Sequence, residues 1–145
     1  MDIPDEIKIK ATIKPGTVFY FTEETFSSQE PHYFIVLNRD PLSTNVVILV
    51  CSSSQIEKVE KRIARLGLPC ETAVKILESE YTSFTTDSII NCNEVFQRSI
   101  DQLVGKLKTN DLKIKAEMSS GFVEKLVAAV RKSPLVAQEV KDMLP

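Results

Sequence analysis

Two nearly continuous apolar runs, separated by a short polar link, constrain the fold of this chain more than any other feature. The first run covers residues 31–38 (PHYFIVLN) and the second covers residues 45–54 (NVVILVCSSS). The link, residues 39–44, contains Asp40, Pro41 and Ser43, which favour turns. Runs rich in β-branched and aromatic residues on both sides of a turn predict two adjacent antiparallel strands, and their continuity predicts burial on both faces. A barrel or sandwich core follows from this pair.

The ends of the two runs carry the side chains best suited to chemistry. His32, the only histidine of the chain, opens the first run, and serines 52–54 close the second. Antiparallel pairing puts the start of one strand beside the end of the other, so we expect His32 near residues 51–54. An imidazole titrates near neutral pH, which suits His32 to general acid or base catalysis beside Ser52 and Ser53. Two plainer interpretations stay open, a backbone-bonded polar residue for His32 and turn chemistry for the serines.

Length and composition predict a single soluble domain over residues 1–145. The chain is 43% hydrophobic and 26% charged, which is ordinary for a globular protein. No apolar run approaches the roughly 20 residues that span a bilayer, and residues 1–6 are acidic, unlike a signal peptide. We therefore expect a cytoplasmic protein that does not bind membranes.

The cysteines and the charge distribution limit the kinds of site that the chain can form. Cys51, Cys70 and Cys92, with one histidine, do not supply the four clustered ligands of a structural zinc site, so buried reduced thiols and no metal are predicted. The net charge of −2 argues against strong nonspecific binding to nucleic acid. Residues 57–70 nevertheless carry an excess of two positive charges. This excess is either a solvated helix face or a local basic face.

The pattern along the chain divides it into an arm, a barrel and closing helices. In the N-terminal arm, residues 1–13, isoleucine and alanine alternate with polar residues from residue 7, which predicts an edge strand or a docked tail. Residues 14–118 are predicted to form the barrel, and residues 119–145 the C-terminal helices. A helix over residues 54–66 is inserted after the third strand. We expect Ser54 and Glu57 to form its capping box, and Gly67 to end it.

Five short segments resemble, in the same order, the strands and turns of the MazF/PemK toxin family, whose fold is the CcdB/MazF-like barrel. They are KPGTV (14–18), PHYFIVLN (31–38), VILVCSS (47–53), SIINCNEV (88–95) and LVGKL (103–107). The resemblance covers residues 14–132 and is that of a divergent member. It implies a mainly β fold with helices (α+β), namely a small half-open antiparallel barrel with an inserted helix after strand three and C-terminal helices.

The resemblance also implies a function. It suggests the toxin of a toxin–antitoxin pair, a homodimer that cuts single-stranded RNA without metal or cofactor, with the RNA groove at the subunit interface. The partners would be RNA and a cognate antitoxin protein. A catalytically degenerate barrel that binds a protein or RNA partner is the alternative.

The site residues implied by the resemblance differ from the family pattern at several positions. Pro31 and His32 stand where the family has arginine, and Asn91 and Asn93 flank Cys92 where the family has charged residues. Since asparagine does not titrate, His32 would take over proton transfer, and Glu23, Glu24 and Glu30 are the remaining candidates. The predicted catalytic residues are therefore His32, Ser52 and Ser53. The predicted substrate-binding residues are Glu24, Glu30, Arg39, Asn91 and Asn93.

The C-terminal tail, residues 133–145, bears on assembly. Its four larger aliphatic side chains, Leu135, Val136, Val140 and Leu144, would form an exposed apolar patch unless they are buried, and burial contributes about 1.5–3 kcal/mol each. They pack either on the same subunit or in an interface. We expect a homodimer with the tail nearer the interface than the groove.

Overall fold

The fold is built around one antiparallel sheet. The computed structural model describes residues 3–145 of the chain. The strands are β1 (Val18–Phe21), β2 (His32–Val36), β3 (Val47–Ser53), β4 (Ala73–Ile76), β5 (Ser88–Asn91), β6 (Phe96–Arg98) and β7 (Lys113–Lys115). Their order is β4-β5-β3-β2-β1-β7, and β6 pairs with the first half of β3. All pairs are antiparallel, and β4 and β7 are separate edges, so the sheet does not close. The predicted half-open, antiparallel α+β fold is confirmed.

Both faces of the central strands are buried, as the continuous apolar runs predicted. Alternate residues point to opposite faces of a strand. Ile35 and Leu37 therefore pack with one core cluster, which includes helix α5 (Ser120–Lys132). Phe34 and Val36 pack with the other, which includes helices α1 (Asp5–Thr12) and α4 (Ile100–Lys108). All four of these side chains are fully buried. The sheet is thus a middle layer between two helical layers.

Six α-helices accompany the sheet in the described residues. They are α1 (Asp5–Thr12), α2 (Pro41–Thr44), α3 (Ile56–Arg65), α4 (Ile100–Lys108), α5 (Ser120–Lys132) and α6 (Gln138–Lys141). Within residues 3–145, none of these helices has the length and apolar character needed to cross a membrane. Helix α3 follows strand three directly, and the two C-terminal helices follow the last strand, in the predicted positions.

Most of the described part of the N-terminal arm forms helix α1, so the edge-strand interpretation is wrong, whereas the alternative of a docked tail agrees with its packing. Helix α1 packs against α4, and it buries Ile9, while Ile13 just beyond its end is 6% exposed. In the alternating pattern that suggested a strand, Ile9 and Ile13 are four residues apart, a spacing that also puts two side chains on one face of a helix. Ile7, by contrast, is 54% exposed. Residues 1 and 2 of the predicted arm lie outside the described residues.

The ends of α3 are only partly as predicted. Gln55, not Ser54, precedes the helix, and it makes no capping hydrogen bond with its side chain, so the predicted capping box is wrong. Instead, the Ser53 hydroxyl accepts a hydrogen bond from the backbone amide of Gln55, at 3.1 Å, in the turn before the helix. At the other end, Gly67 has a φ of 68°, the left-handed conformation that glycine adopts without a steric cost.

The C-terminal tail packs mainly on its own subunit. Val136, Val140 and Leu144 are at most 8% exposed and belong to the core cluster of α5, whereas Leu135 is 62% exposed. Three of the four aliphatic side chains are therefore buried without a partner chain. This removes the argument from the tail for an interface, and the homodimer remains a proposal.

Candidate functional site

A cleft of about 560 Å³ opens where β2 begins and β3 ends. It lies there because the register that pairs Phe34 with Cys51 brings the start of β2 beside the last residues of β3. The β1–β2 loop, helix α3 and the turn after β5 complete its walls. The lining residues are Thr25, Phe26, Ser27, Ser28, His32, Cys51, Ser52, Ser53, Gln55, Lys58, Val59, Arg62, Asn91 and Glu94.

The structure brings together His32, Ser52 and Ser53, the three residues predicted to be catalytic. His32 is half-buried, and its Nδ1 atom is buried without a hydrogen-bond partner in the described part of the chain. Ser52 is 5% exposed and pairs with Ile90, so the end of β3 is hydrogen-bonded to β5. His32, Ser52 and Ser53 thus line one cleft where β2, β3 and β5 meet.

Helix α3 contributes positive charge to the same cleft. Lys58 and Arg62 are one helical turn apart, so both project from the same side of α3. The Arg62 guanidinium binds Glu94 on the opposite wall, with 3.3 Å between Nη1 and Oε1. A guanidinium and an ammonium group can stabilise the charge of a phosphate.

The Cys51 thiol in the cleft is in its protonated form. Burial raises the pKa of Cys51 far above its ordinary value, and the carboxylates of Glu94 and Glu23 add to this effect. The thiol therefore stays protonated at neutral pH, while nucleophilic attack requires the thiolate. Cys92 is also buried, but Cys70 is exposed, which corrects the prediction that all three thiols are buried.

Asn91 and Asn93 form a structural pair. Asn91 lines the cleft, and its Oδ1 atom accepts hydrogen bonds from the backbone amide and the side-chain amide of Asn93, both at 3.0 Å. The Asn93 side chain also donates to Thr72 Oγ1 at 2.7 Å. Asn93 is 7% exposed and lies behind the cleft wall, so it positions the turn after β5.

The other predicted substrate-binding residues lie outside the cleft. Glu24 is exposed and lines a separate recess of about 480 Å³ beside α4, and Glu30 is exposed in the loop before β2. Arg39 lies beyond the far end of β2, about 23 Å along an extended chain from His32. Its Nη2 atom donates to the backbone carbonyl of Asp142 at 2.9 Å, so Arg39 holds the C-terminal tail.

Glu23 is a structural anchor and not a free proton-transfer group. Its carboxylate binds Arg98 of β6, with Nη2 and Oε2 2.8 Å apart, and accepts a hydrogen bond from the Thr25 hydroxyl, also at 2.8 Å. Burial alone would raise the pKa of Glu23, but these two partners outweigh it and hold the pKa below its ordinary value. The pair ties the β1–β2 loop, which forms one wall of the cleft, to strand β6.

Sequence reasoning missed Glu94 as a member of the cleft. It stands one position beyond Asn93, within the segment that carried the family resemblance. Lys58 and Arg62 had a signal in the basic excess of residues 57–70, but the sequence did not indicate that this face borders the cleft. In residues 3–145, no three histidine, cysteine, aspartate or glutamate side chains are grouped so that they could hold a metal ion.

Comparison with known proteins gives a fold and no sequence family. No protein-family model matches the chain, and no curated protein sequence matches it. Among solved structures, it is similar to one described as Mycobacterium tuberculosis toxin MazF-mt6, with a TM-score of 0.50 and 11% sequence identity. The match covers 79% of this chain and 91% of that chain. The chain therefore has a MazF-like fold.

Proposed function

We propose that this protein is a toxin-like endoribonuclease that cleaves single-stranded RNA in the His32 cleft without a metal. The observation that best supports this is the set of residues that line the cleft, where His32 stands with Ser52, Ser53 and the cations of α3, on a MazF-like fold. Metal-independent RNA cleavage needs a proton acceptor, a proton donor and positive charge near the phosphate. Each of these has a candidate among the residues of the cleft.

The reaction would use the RNA's own ribose as the nucleophile. The 2′-oxygen forms a bond to the adjacent phosphorus, and the bond from phosphorus to the 5′-oxygen breaks. The products are a 2′,3′-cyclic phosphate and a 5′-hydroxyl. His32 and Glu94 are the pair that would exchange the protons, one taking the proton of the 2′-hydroxyl and the other supplying one to the leaving oxygen.

The remaining cleft residues would stabilise the developing charge. Lys58 and Arg62 would neutralise the phosphorane, and the hydroxyls of Ser52 and Ser53 would donate hydrogen bonds to its oxygens. Phe26 gives the cleft an aromatic wall on which a base can stack. Asn91 would orient the chain rather than transfer a proton, because an amide does not titrate.

The partners follow from the same proposal. A protein named as a toxin shares the fold, which supports a cognate antitoxin protein and an RNA substrate for this chain as well. A homodimer belongs to the proposal too, and sedimentation over a range of concentrations tests it. A monomer at tens of micromolar would contradict the homodimer but not the RNA chemistry.

The function is tested by incubating the purified protein with single-stranded RNA in excess chelator. We expect products that carry a cyclic phosphate, and His32→Ala should lower the cleavage rate by about 10²–10⁴-fold. Lys108→Gln is a suitable control, because Lys108 is exposed on α4, away from the cleft. Cleavage by His32→Ala at the wild-type rate would remove His32 from the mechanism.

A second candidate function is RNA or protein binding without cleavage. It is favoured by the hydrogen bonds between Asn91 and Asn93, which show two amides in a structural role where charged residues were expected. In that case the wild-type protein would bind RNA and leave it intact, and His32→Ala would leave the affinity for RNA unchanged.

A further inference from the structure

We propose that the basic face of α3, defined as Lys58, Lys61, Arg62 and Arg65, binds the phosphates of the RNA strand that leaves the cleft. This inference rests on the proposed function, because it requires RNA in the cleft. Lys58 and Arg62 begin this track at the cleft, and Lys61 and Arg65 extend it beyond the reacting nucleotides.

The four basic residues form one stripe. Their spacing is i, i+3, i+4 and i+7, which puts them on a single side of a helix. All four are exposed. From Lys58 to Arg65 the helix rises about 10 Å, so the stripe is long enough to contact more than one phosphate of a strand.

The stripe is continuous with the cleft. Lys58 and Arg62 line the His32 cleft, and they also line a neighbouring recess of about 500 Å³. Lys61, Arg65 and the 56% exposed side chain of Leu66 complete that recess. A strand that passes Lys58 and Arg62 therefore enters the recess directly, where Leu66 offers an apolar surface to a base.

Within residues 3–145, the acidic neighbours of the stripe pair with only one of its four basic residues. Glu60 pairs with Lys75 of β4 at 3.1 Å, and Glu94 pairs with Arg62 at 3.3 Å. Glu57, at the start of α3, is the third acidic neighbour. Within residues 3–145, Lys58, Lys61 and Arg65 form no ion pair. Three cations thus remain to bind phosphates.

The continuity with the cleft favours a polynucleotide over an acidic peptide. Both would be attracted by positive charge. A strand held in the cleft, however, presents its next phosphates to α3 at a high effective concentration, because they are covalently linked to the bound nucleotide. The contribution of the stripe should therefore depend on the length of the RNA.

The test measures RNA binding in the presence of chelator and in a His32→Ala background, which prevents cleavage during the measurement. The double variant Lys61→Gln/Arg65→Gln removes two charges of the stripe that do not line the His32 cleft. The control, Lys108→Gln/Lys113→Gln, removes two exposed charges from α4 and β7. Strand β7 is at the opposite edge of the sheet from β4, the edge strand that α3 contacts. Fluorescence anisotropy is recorded for RNAs of about four and about ten nucleotides over a range of salt concentrations.

We expect the stripe variant to bind the longer RNA more weakly. The slope of log affinity against log salt should fall in magnitude by about 1.4, which corresponds to two lost phosphate contacts on a single strand. Binding of the shorter RNA should not change, and the control should match the parent protein for both.

Four results would overturn the inference. They are an unchanged salt slope for the longer RNA, an equal loss for the shorter RNA, an equal loss in the control, and weaker binding of polyglutamate with unchanged binding of RNA. The last result would assign the stripe to an acidic peptide. If the stripe variant shows the length-dependent loss but the wild-type protein does not cleave RNA, the proposed function is contradicted and the inference about RNA binding by α3 still stands.

Discussion

The ring of His32 lies edge-on to the ring of Phe26, with centroids 5.0 Å apart and planes at 84°. Phe26 in turn contacts Phe96 of β6 edge-on, with centroids 5.6 Å apart. The β1–β2 loop therefore positions the imidazole through an aromatic contact and not through a carboxylate. This arrangement leaves His32 Nδ1 buried beside apolar groups, without a partner in the described residues.

Replacing His32 by phenylalanine should stabilise the protein while abolishing RNA cleavage. The new ring keeps the contact with Phe26, and the change removes a buried nitrogen whose lost hydrogen bond costs about 1–3 kcal/mol. We expect the free energy of unfolding to rise by about 1 kcal/mol and Tm by about 2–4 °C. Thermal unfolding followed by circular dichroism measures this, with His32→Ala as the control that loses the ring. A lower Tm for His32→Phe would contradict it.

Removing the cation from the Glu23–Arg98 pair should destabilise the fold. The side chains of Glu23 and Arg98 are 4% and 20% exposed, so Arg98→Met leaves a buried carboxylate without its partner, at a cost of about 3–5 kcal/mol. Urea unfolding measures the loss. The double variant Glu23→Gln/Arg98→Met should recover part of it, and no recovery would show that the charge is not the cause.

The same carboxylate should make stability depend on pH in the acid range. Burial alone would raise the pKa values of Glu23 and Asp111, but hydrogen bonds from Arg98 and Thr25 to Glu23, and from Thr22 and Lys106 to Asp111, hold both below their ordinary values. Below the ordinary carboxyl pKa of about 4, the unfolded chain binds protons first, so stability falls as the pH falls. Wild type should lose stability below pH 4 more steeply than Glu23→Gln/Asp111→Asn. Parallel curves would contradict this linkage.

Arg39 should matter for the C-terminal tail and not for RNA. Besides the bond from its side chain to Asp142, its backbone amide donates to the carbonyl of Met143 at 3.0 Å. Arg39→Ala removes the side-chain bond, so we expect a loss of about 1 kcal/mol and faster proteolysis near the C-terminus. Arg131→Ala is a matched variant, because Arg131 donates to the carbonyl of Pro145 at 2.7 Å. Weaker RNA binding by Arg39→Ala would instead support the substrate-binding role predicted from the sequence.

One thiol should react well before the other two. Cys70 is exposed, whereas burial raises the pKa of Cys92 to about 12 and that of Cys51 still further. A hydrogen bond to the Glu71 carboxylate raises the pKa of Cys70, so Glu71→Gln should speed its reaction. Labelling with a thiol reagent, read by mass spectrometry, should give one fast modification that Cys70→Ser removes. Fast modification of Cys51 would mean that the cleft opens more readily than the structure indicates.

The sequence by itself determined the central hairpin and which polar residues meet at its open end. β2 and β3 are adjacent along the chain, and their apolar runs are long enough to specify both the strands and the burial of both faces. Antiparallel pairing then brings His32 beside Ser52 and Ser53, whatever surrounds them. Because these relations depend on neighbouring segments, local patterns suffice to predict them.

Only the tertiary structure decided which charges share the cleft and which residues are structural. Glu94 and Arg62 meet across more than thirty residues, because β5 pairs with β3 and α3 packs beside it. The same kind of long-range packing turned the alternating arm into helix α1 and directed Arg39 to the tail. It also bonded Asn93 to Thr72 behind the cleft wall. The type and spacing of a side chain limit its possible partners. Its actual partner depends on which distant segment packs against it, and a local sequence pattern does not predict that segment.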